Sequence, residues 1–183
     1  MRPETVFLRR VLTGFAFGLI ALGVTADPAR AQSEDQIKAA FLFNFARYVE
    51  WPDQAFDSGS APVRICMAGA SDFASIVSQA VGGKSVGDRA VEVVPGVGLE
   101  DASTCHILYV GGELEAGAGV VASSVSGGHV FTVADRDGFA ASGGIANFIL
   151  TDNKVRFEIN PGAAKQAGLK ISSRLLRLAK VVK

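Results

Sequence analysis

The chain has 183 residues, and its 18 basic and 18 acidic side chains give a formal net charge of zero. This balance provides no electrostatic affinity for nucleic acid or anionic lipid, so we expect neither as a partner. The length fits one domain with a single hydrophobic core.

The first 31 residues have the pattern of a secretory signal peptide. Arg2, Arg9 and Arg10 form a positive region, and the apolar run over 11–24 carries no charge. That run is shorter than the roughly 20 residues of a membrane-spanning helix, and residues 29–31 (ARA) match an A-x-A cleavage site. We therefore predict cleavage before Gln32, with an uncleaved anchor as the alternative. The domain, residues 32–183, then acts outside the cytoplasm.

Cleavage would change the charge balance slightly. The leader holds four of the 18 basic and two of the 18 acidic residues, which leaves 14 and 16 and a net charge near −2. Both cysteines, Cys66 and Cys105, remain. An even pair in an oxidising compartment predicts a disulfide, with two buried free thiols as the alternative. Such a bond spans 39 positions and stabilises by about 3–4 kcal/mol through loop entropy.

A helix is predicted over 34–50, because residues 33–36 (SEDQ) form a capping box and Trp51 precedes a proline. Helical periodicity places Phe43 and Arg47 on the side opposite the apolar face, so Phe43 is a predicted exposed aromatic. Asn44 is a polar group within the apolar face. That face comprises Ile37, Ala40, Phe41, Asn44, Phe45, Tyr48 and Trp51, widened by Leu42 and Val49.

Short apolar strands then alternate with helices. Strands are predicted over 63–68, 90–94, 106–110 and 130–134, and helices over 72–81 and 113–125. This alternation indicates βαβ units and a mainly parallel sheet.

The C-terminal part predicts a hairpin followed by two helices. Strands 145–150 and 155–159 flank the turn sequence TDNK, with Arg156 and Glu158 on one face of the second strand. Asn160 caps one helix, Gly168 ends it, and Ser172 caps the last. The predicted fold is a single α/β domain. Its mainly parallel sheet of about four strands is extended by an antiparallel C-terminal hairpin, with helices on both faces.

No pattern of residues forms a catalytic, metal or cofactor site. Residues 82–85 (GGKS) lack the first glycine of a phosphate-binding loop, and 117–122 (GAGVVA) lie within a predicted helix. Residues 135–138 lack the later ligands of a calcium loop. His106 and His129 have no partners at metal-ligand spacing. We therefore predict a non-enzymatic protein without a cofactor.

Three stretches resemble the YfiR family. Residues 37–52 (IKAAFLFNFARYVEWP) resemble its opening, residues 143–148 (GGIANF) its segment before the hairpin, and residues 155–176 its close. The resemblance implies a periplasmic regulator that can dimerise. It binds the periplasmic domain of an inner-membrane diguanylate cyclase or sensor kinase and limits cyclic di-GMP signalling and biofilm growth. An outer-membrane lipoprotein can sequester such a regulator.

By position, Cys66 and Cys105 match a family disulfide, and Glu158 matches a glutamate on the partner-binding surface. A second family disulfide, before the hairpin, has no counterpart in this chain. The candidate partner-binding residues are Phe43, Asn44, Arg47, Trp51, Asn147, Phe148, Arg156 and Glu158.

An alternative function is the binding of a small periplasmic ligand. Parallel α/β sheets bind ligands at the carboxyl ends of their strands. In this chain those ends lie near 69–72, 111–112 and 135–138.

Overall fold

The computed structural model describes residues 28–183, with side chains described from residue 33 onward. Most of the predicted leader lies outside these residues, so its cleavage stays a prediction. The helices are α1 (Pro28–Tyr48), α2 (Ser71–Val81), α3 (Ala118–Ser124), α4 (Pro161–Gln166) and α5 (Ser173–Leu176). The strands are β1 (Val49–Glu50), β2 (Val63–Ala68), β3 (Ser85–Val86), β4 (Arg89–Pro95), β5 (Ile107–Val110), β6 (Phe131–Ala134), β7 (Ala146–Thr151), β8 (Lys154–Ile159), β9 (Lys170–Ile171) and β10 (Lys180–Val181).

Eight strands form one sheet in the order β10-β8-β7-β6-β5-β2-β4-β3. Strands β4, β2, β5, β6 and β7 run parallel to one another. At the two ends of this group, β3 is antiparallel to β4 and β8 is antiparallel to β7. The mainly parallel α/β fold is therefore confirmed. The parallel part has five strands, because the first strand of the hairpin pairs with β6. Strands β1 and β9 form a separate two-stranded pair.

The central strands are buried on both faces, which is typical of parallel sheets. Ile65 and Met67 of β2 face a core formed with α1 and α2. The alternate residues, Cys66 and Ala68, face a second core with α3. Helices therefore cover both faces of the sheet, as predicted.

Aromatic rings join α1 to the hairpin. Phe45 is fully buried, and its ring centroid lies 5.3 Å from Phe131, 5.9 Å from Phe148 and 5.2 Å from Phe157. Phe41 stands edge-on to Phe157 at 5.0 Å. Such pairs add about 0.5–1.5 kcal/mol each beyond the burial of apolar area.

The buried face of α1 differs from the predicted one. Ala39 and Ala46 lie outside the predicted apolar face yet are fully buried, whereas Ile37, predicted to be within that face, is 44% exposed. The cause is tertiary packing, because α1 contacts both the hairpin strand β8 and α2. A helix enclosed on two sides buries a wider arc than a single apolar stripe predicts.

The predicted helix over 113–125 is also shorter in the structure, where α3 begins only at Ala118. The residues before it form a loop that packs against the end of β2. A Cβ on Gly111 would lie 2.1 Å from the carbonyl oxygen of Gly69, so the two backbones touch. Glu113 is tied to the start of α2 through hydrogen bonds from Ser71 N–H (3.1 Å) and Ser71 Oγ (2.9 Å).

The hairpin turn is tighter than predicted. Asp152 and Asn153 both have positive φ, at 50° and 59°, and the preceding Thr151 pairs with Lys154. A two-residue turn with two left-handed residues matches the right-handed twist of the strands. The predicted caps at Asn160 and Ser172 are confirmed, since each side chain accepts a backbone N–H of the following helix.

Candidate functional site

The two cysteines form the predicted disulfide. Cys66 lies in β2 and Cys105 immediately before β5, with their Cα atoms 5.9 Å apart. Both are buried beneath α3. The bond therefore joins β2 to the segment that enters the neighbouring strand β5.

Four residues form what we call the outer hairpin face: Asn147 and Ile149 of β7, and Arg156 and Glu158 of β8. Asn147 pairs directly with Glu158, and Ile149 with Arg156. Directly opposed residues of an antiparallel pair project from the same face. The structure thus brings three predicted partner-binding residues together on the side of the sheet opposite α1.

On the outer hairpin face, Asn147 and Glu158 are buried and hydrogen-bonded, whereas Ile149 and Arg156 are more accessible to solvent. Asn147 is fully buried, and its Oδ1 accepts the Arg136 N–H at 3.0 Å. Glu158 is 8% exposed, and its Oε1 accepts a hydrogen bond from Lys180 Nζ at 2.8 Å. Arg156 is exposed and Ile149 is half-buried. Because β10 pairs only with Glu158 and Ile159, the first four residues of β8 keep one backbone edge free of β10.

Phe148 is separated from these residues by the alternation of the strand. Its side chain points into the core, where it is 2% exposed and lies 6.4 Å from the ring of Tyr109. A direct contact with a partner would require this core to open. Phe148 supports the hairpin from beneath.

The remaining candidates lie on the outer surface of α1 and just after it. Phe43 is half-buried and not exposed as predicted, because Lys84 Nζ lies 4.8 Å from its ring centroid and Arg47 lies 5.8 Å from it. Asn44 is half-buried. Trp51 is also half-buried and meets His106 edge-on at 6.0 Å. The predicted site is therefore two surfaces on opposite sides of the sheet.

Sequence reasoning missed a groove at the hairpin tip, in which two apolar side chains lie among polar and charged ones. The groove, of about 240 Å³, is lined by Ile37 of α1 and by Val155 and Arg156 of β8. Leu150, which pairs with Val155, is 54% exposed. Ile37 was assigned to the buried face of α1, and this error concealed the groove. Alternation along β7 places Leu150 on the same face as the buried Phe148, so no pattern in the sequence signalled its exposure.

At the carboxyl ends of the parallel strands, the place of the alternative ligand site, the loops are joined by hydrogen bonds and an ion pair. Arg136 donates to the carbonyl oxygens of Ala116 (2.5 Å) and Leu114 (2.8 Å). Lys38 of α1 forms an ion pair with Asp135. The backbones of Gly69 and Gly111 are also in contact at this end of the sheet.

The described part of the chain lacks a metal-binding cluster and a membrane-spanning helix. Residues 33–183 contain no group of three His, Cys, Asp or Glu side chains that could hold a metal ion. None of the described helices has the length and hydropathy needed to cross a bilayer.

Two solved structures share the fold. A conserved domain protein from Vibrio cholerae O1 biovar El Tor has a TM-score of 0.55 at 9% identity, over 81% of this chain and 60% of that chain. The ABC domain in complex with L-Trp from Streptococcus pneumonia has a TM-score of 0.52 at 11% identity, over 82% and 60%. This chain thus spans about 60% of the length of each.

A comparison with curated proteins found no match. The model of the YfiR/HmsC-like family, however, matches residues 35–180, which extend from within α1 to the first residue of β10. On that match, together with the α/β fold and the disulfide, the chain belongs to the YfiR/HmsC-like family.

Proposed function

We propose that this protein is a non-enzymatic periplasmic regulator. In this proposal it represses a membrane-bound diguanylate cyclase by binding the periplasmic domain of that enzyme. A sensor kinase is the alternative receptor. Membership of the YfiR/HmsC-like family supports a regulatory role in diguanylate cyclase signalling. The pattern of residues 1–31 supports export.

The observation that carries the proposal is the chemistry of the outer hairpin face. Glu158 is nearly buried, yet its only charged partner in the described residues is Lys180, whose side chain is 68% exposed. Only Oε1 of the carboxylate is bonded, which leaves Oε2 free to accept a hydrogen bond from a partner. Hydrogen bonds to a charged group in a partly desolvated position are strong, typically about 1.5–3 kcal/mol.

Binding at this face would bury the ion pair under the partner. Arg156 and the half-buried Ile149 lie beside it, so the surface combines one carboxylate and two cations with an apolar contact. A partner with the matching charges gains orientation from them, and the apolar area supplies affinity. The surface that includes Phe43, Asn44, Arg47 and Trp51 lies on the opposite side of the sheet. We propose it as a second contact, with the same receptor, an outer-membrane lipoprotein or a second copy of the chain.

A test in the native organism measures cyclic di-GMP. Deletion of the gene should raise the cyclic di-GMP level and biofilm growth, and wild-type protein should restore both. The Glu158→Gln variant, exported to the same amount, should fail to restore them because the charge that a partner recognises is removed.

The control is Glu92→Gln. Glu92 is an exposed glutamate of β4, near the other end of the sheet, so this variant should repress like the wild type. An unchanged cyclic di-GMP level in the deletion strain contradicts repression of a cyclase. Equal repression by the two variants contradicts a role of the outer hairpin face.

A further inference from the structure

We propose that a pocket at the amino ends of β2, β5 and β6 binds a small organic anion. The pocket, called here the amino-end pocket, has a volume of about 520 Å³. That volume is within the usual range for sites of small organic molecules and is far larger than an inorganic ion needs. The walls of the amino-end pocket include Asp57, Arg64, Thr104, Cys105, His106 and His129. This inference does not depend on the proposed partner.

The positive charge of the pocket comes from Arg64. Its guanidinium makes one hydrogen bond, from Nη1 to the carbonyl oxygen of Thr104 at 3.3 Å. Within residues 33–183 it forms no ion pair with a carboxylate. The pocket walls contain one carboxylate, that of the exposed Asp57. The fork of an arginine without a counter-ion binds a carboxylate or phosphate in two-point geometry.

A second arginine adds to the local charge. Arg89 lies 3.7 Å from the ring centroid of Phe56, and its Nη1 donates to the carbonyl oxygens of Ser58 (2.9 Å) and Ala61 (2.7 Å). It too has no carboxylate in contact in the described residues. Both arginines act electrostatically on the imidazole of His106. Two cations against one exposed carboxylate therefore favour an anionic ligand.

The wall that holds Arg64 is rigid. The imidazole Nδ1 of His106 accepts a hydrogen bond from the backbone N–H of Arg64 at 3.1 Å. The backbone N–H of His106 in turn donates to the backbone carbonyl oxygen of Arg64 at 3.0 Å. The imidazole stacks on Phe56 at 4.3 Å. The disulfide of Cys105 with Cys66 joins the same two strands. A ligand would therefore enter a site that is already formed, which reduces the entropic cost of binding.

The two histidines provide different groups. Burial lowers the pKa of His106 to about 4, so this ring is neutral at neutral pH and serves as a wall. His129 has Nδ1 2.9 Å from the carbonyl oxygen of Ala167. Since a carbonyl only accepts, Nδ1 carries a hydrogen, and Nε2 is the ring nitrogen that remains for a ligand. A ligand that combines an oxyanion with a hydroxyl group, such as a hydroxycarboxylate or a sugar phosphate, matches Arg64 and His129 together.

The test uses the exported, purified protein and two probes, citrate and glycerol 3-phosphate. They distinguish a carboxylate ligand from a phosphate ester. Calorimetry should show saturable binding of at least one probe, and amide NMR shifts should concentrate at residues 64, 104–106 and 128–129. Arg64→Gln should weaken that binding at least about tenfold, because a charge-assisted bond is lost. Arg64→Lys, which keeps the charge, should bind more tightly than Arg64→Gln.

Arg177→Gln is the matched control, because Arg177 is an exposed residue directly after α5 and lies outside the pocket. It should bind the probe within about twofold of the wild type. The absence of saturable binding by both probes overturns the proposal. Equal weakening by Arg64→Gln and Arg177→Gln, or shifts confined to other regions, overturns it as well. A thermal unfolding midpoint equal to that of the wild type excludes misfolding as the cause of a loss by Arg64→Gln.

Discussion

Removal of the disulfide should destabilise the domain strongly. The bond closes a segment with a sequence separation of 39 residues. With a loop of that length, the chain-entropy relation gives about 4 kcal/mol of stabilisation, because the bond restricts the unfolded chain. Domains of this size have a total stability of about 5–15 kcal/mol. The double variant Cys66→Ala, Cys105→Ala should therefore lose a large part of the folding free energy.

The loss is measurable by urea denaturation followed by circular dichroism. The free energy of unfolding should fall by about 4 kcal/mol, and the melting temperature by about 8–16 °C. Both cysteines are buried, at 0% and 4% exposure, so the removed sulfur atoms add a small packing loss to this value. The wild type under reducing conditions should approach the variant. A loss below about 1 kcal/mol would show that the bond does not constrain the unfolded chain as argued.

Three further predictions concern stability. Since burial lowers the pKa of His106 from 6.5 to about 4, the folded chain binds fewer protons than the unfolded chain. The free energy of unfolding should drop by up to about 3 kcal/mol between pH 6.5 and 4, and His106→Gln should remove this slope in urea titrations. Gly111→Ala, whose Cβ would meet a backbone carbonyl at 2.1 Å, should cost about 1–3 kcal/mol. The neighbouring Gly112→Ala has open space and should cost far less by the same assay. Phe45→Ala should cost about 3–5 kcal/mol, whereas Phe43→Ala should cost less than half of that, and an equal cost would contradict the observed packing of α1.

The sequence predicted those helices and strands that are marked by neighbouring residues, such as apolar runs, helix caps and turn residues. The central strands follow from continuous apolar runs, and β2 has the predicted bounds 63–68. Side-chain caps at Asn160 and Ser172 fixed the starts of α4 and α5. The hairpin followed from alternation and turn residues, although its turn is shorter than expected.

Features that depend on distant contacts could not be predicted in this way. The prediction of which α1 residues are buried was wrong. It assumed a single apolar face, whereas α1 packs against both the sheet and α2. Strands β1, β3, β9 and β10 have two residues each, too few to produce a periodic signal. The helix predicted over 113–125 was too long because its first part is held as a loop by Gly69 and Arg136.

The candidate site shows the same division. Alternation along β8 correctly separated Arg156 and Glu158 from Phe157, since that rule is local. Lys180, the ion-pair partner of Glu158, is 22 residues away in sequence, and no pattern connected the two. The amino-end pocket joins residues from four separate segments of the chain, so only the fold could assemble it.

The most direct test of the proposed function is the affinity of the purified protein for the purified periplasmic domain of the proposed membrane receptor. That receptor can be identified by capture from the organism or from the neighbouring gene. Interferometry should give saturable binding by the wild type, about 10–100-fold weaker binding by Glu158→Gln, and an unchanged dissociation constant for Glu92→Gln. Equal affinity of all three proteins, or no binding by the wild type, would contradict a regulator that acts through its outer hairpin face.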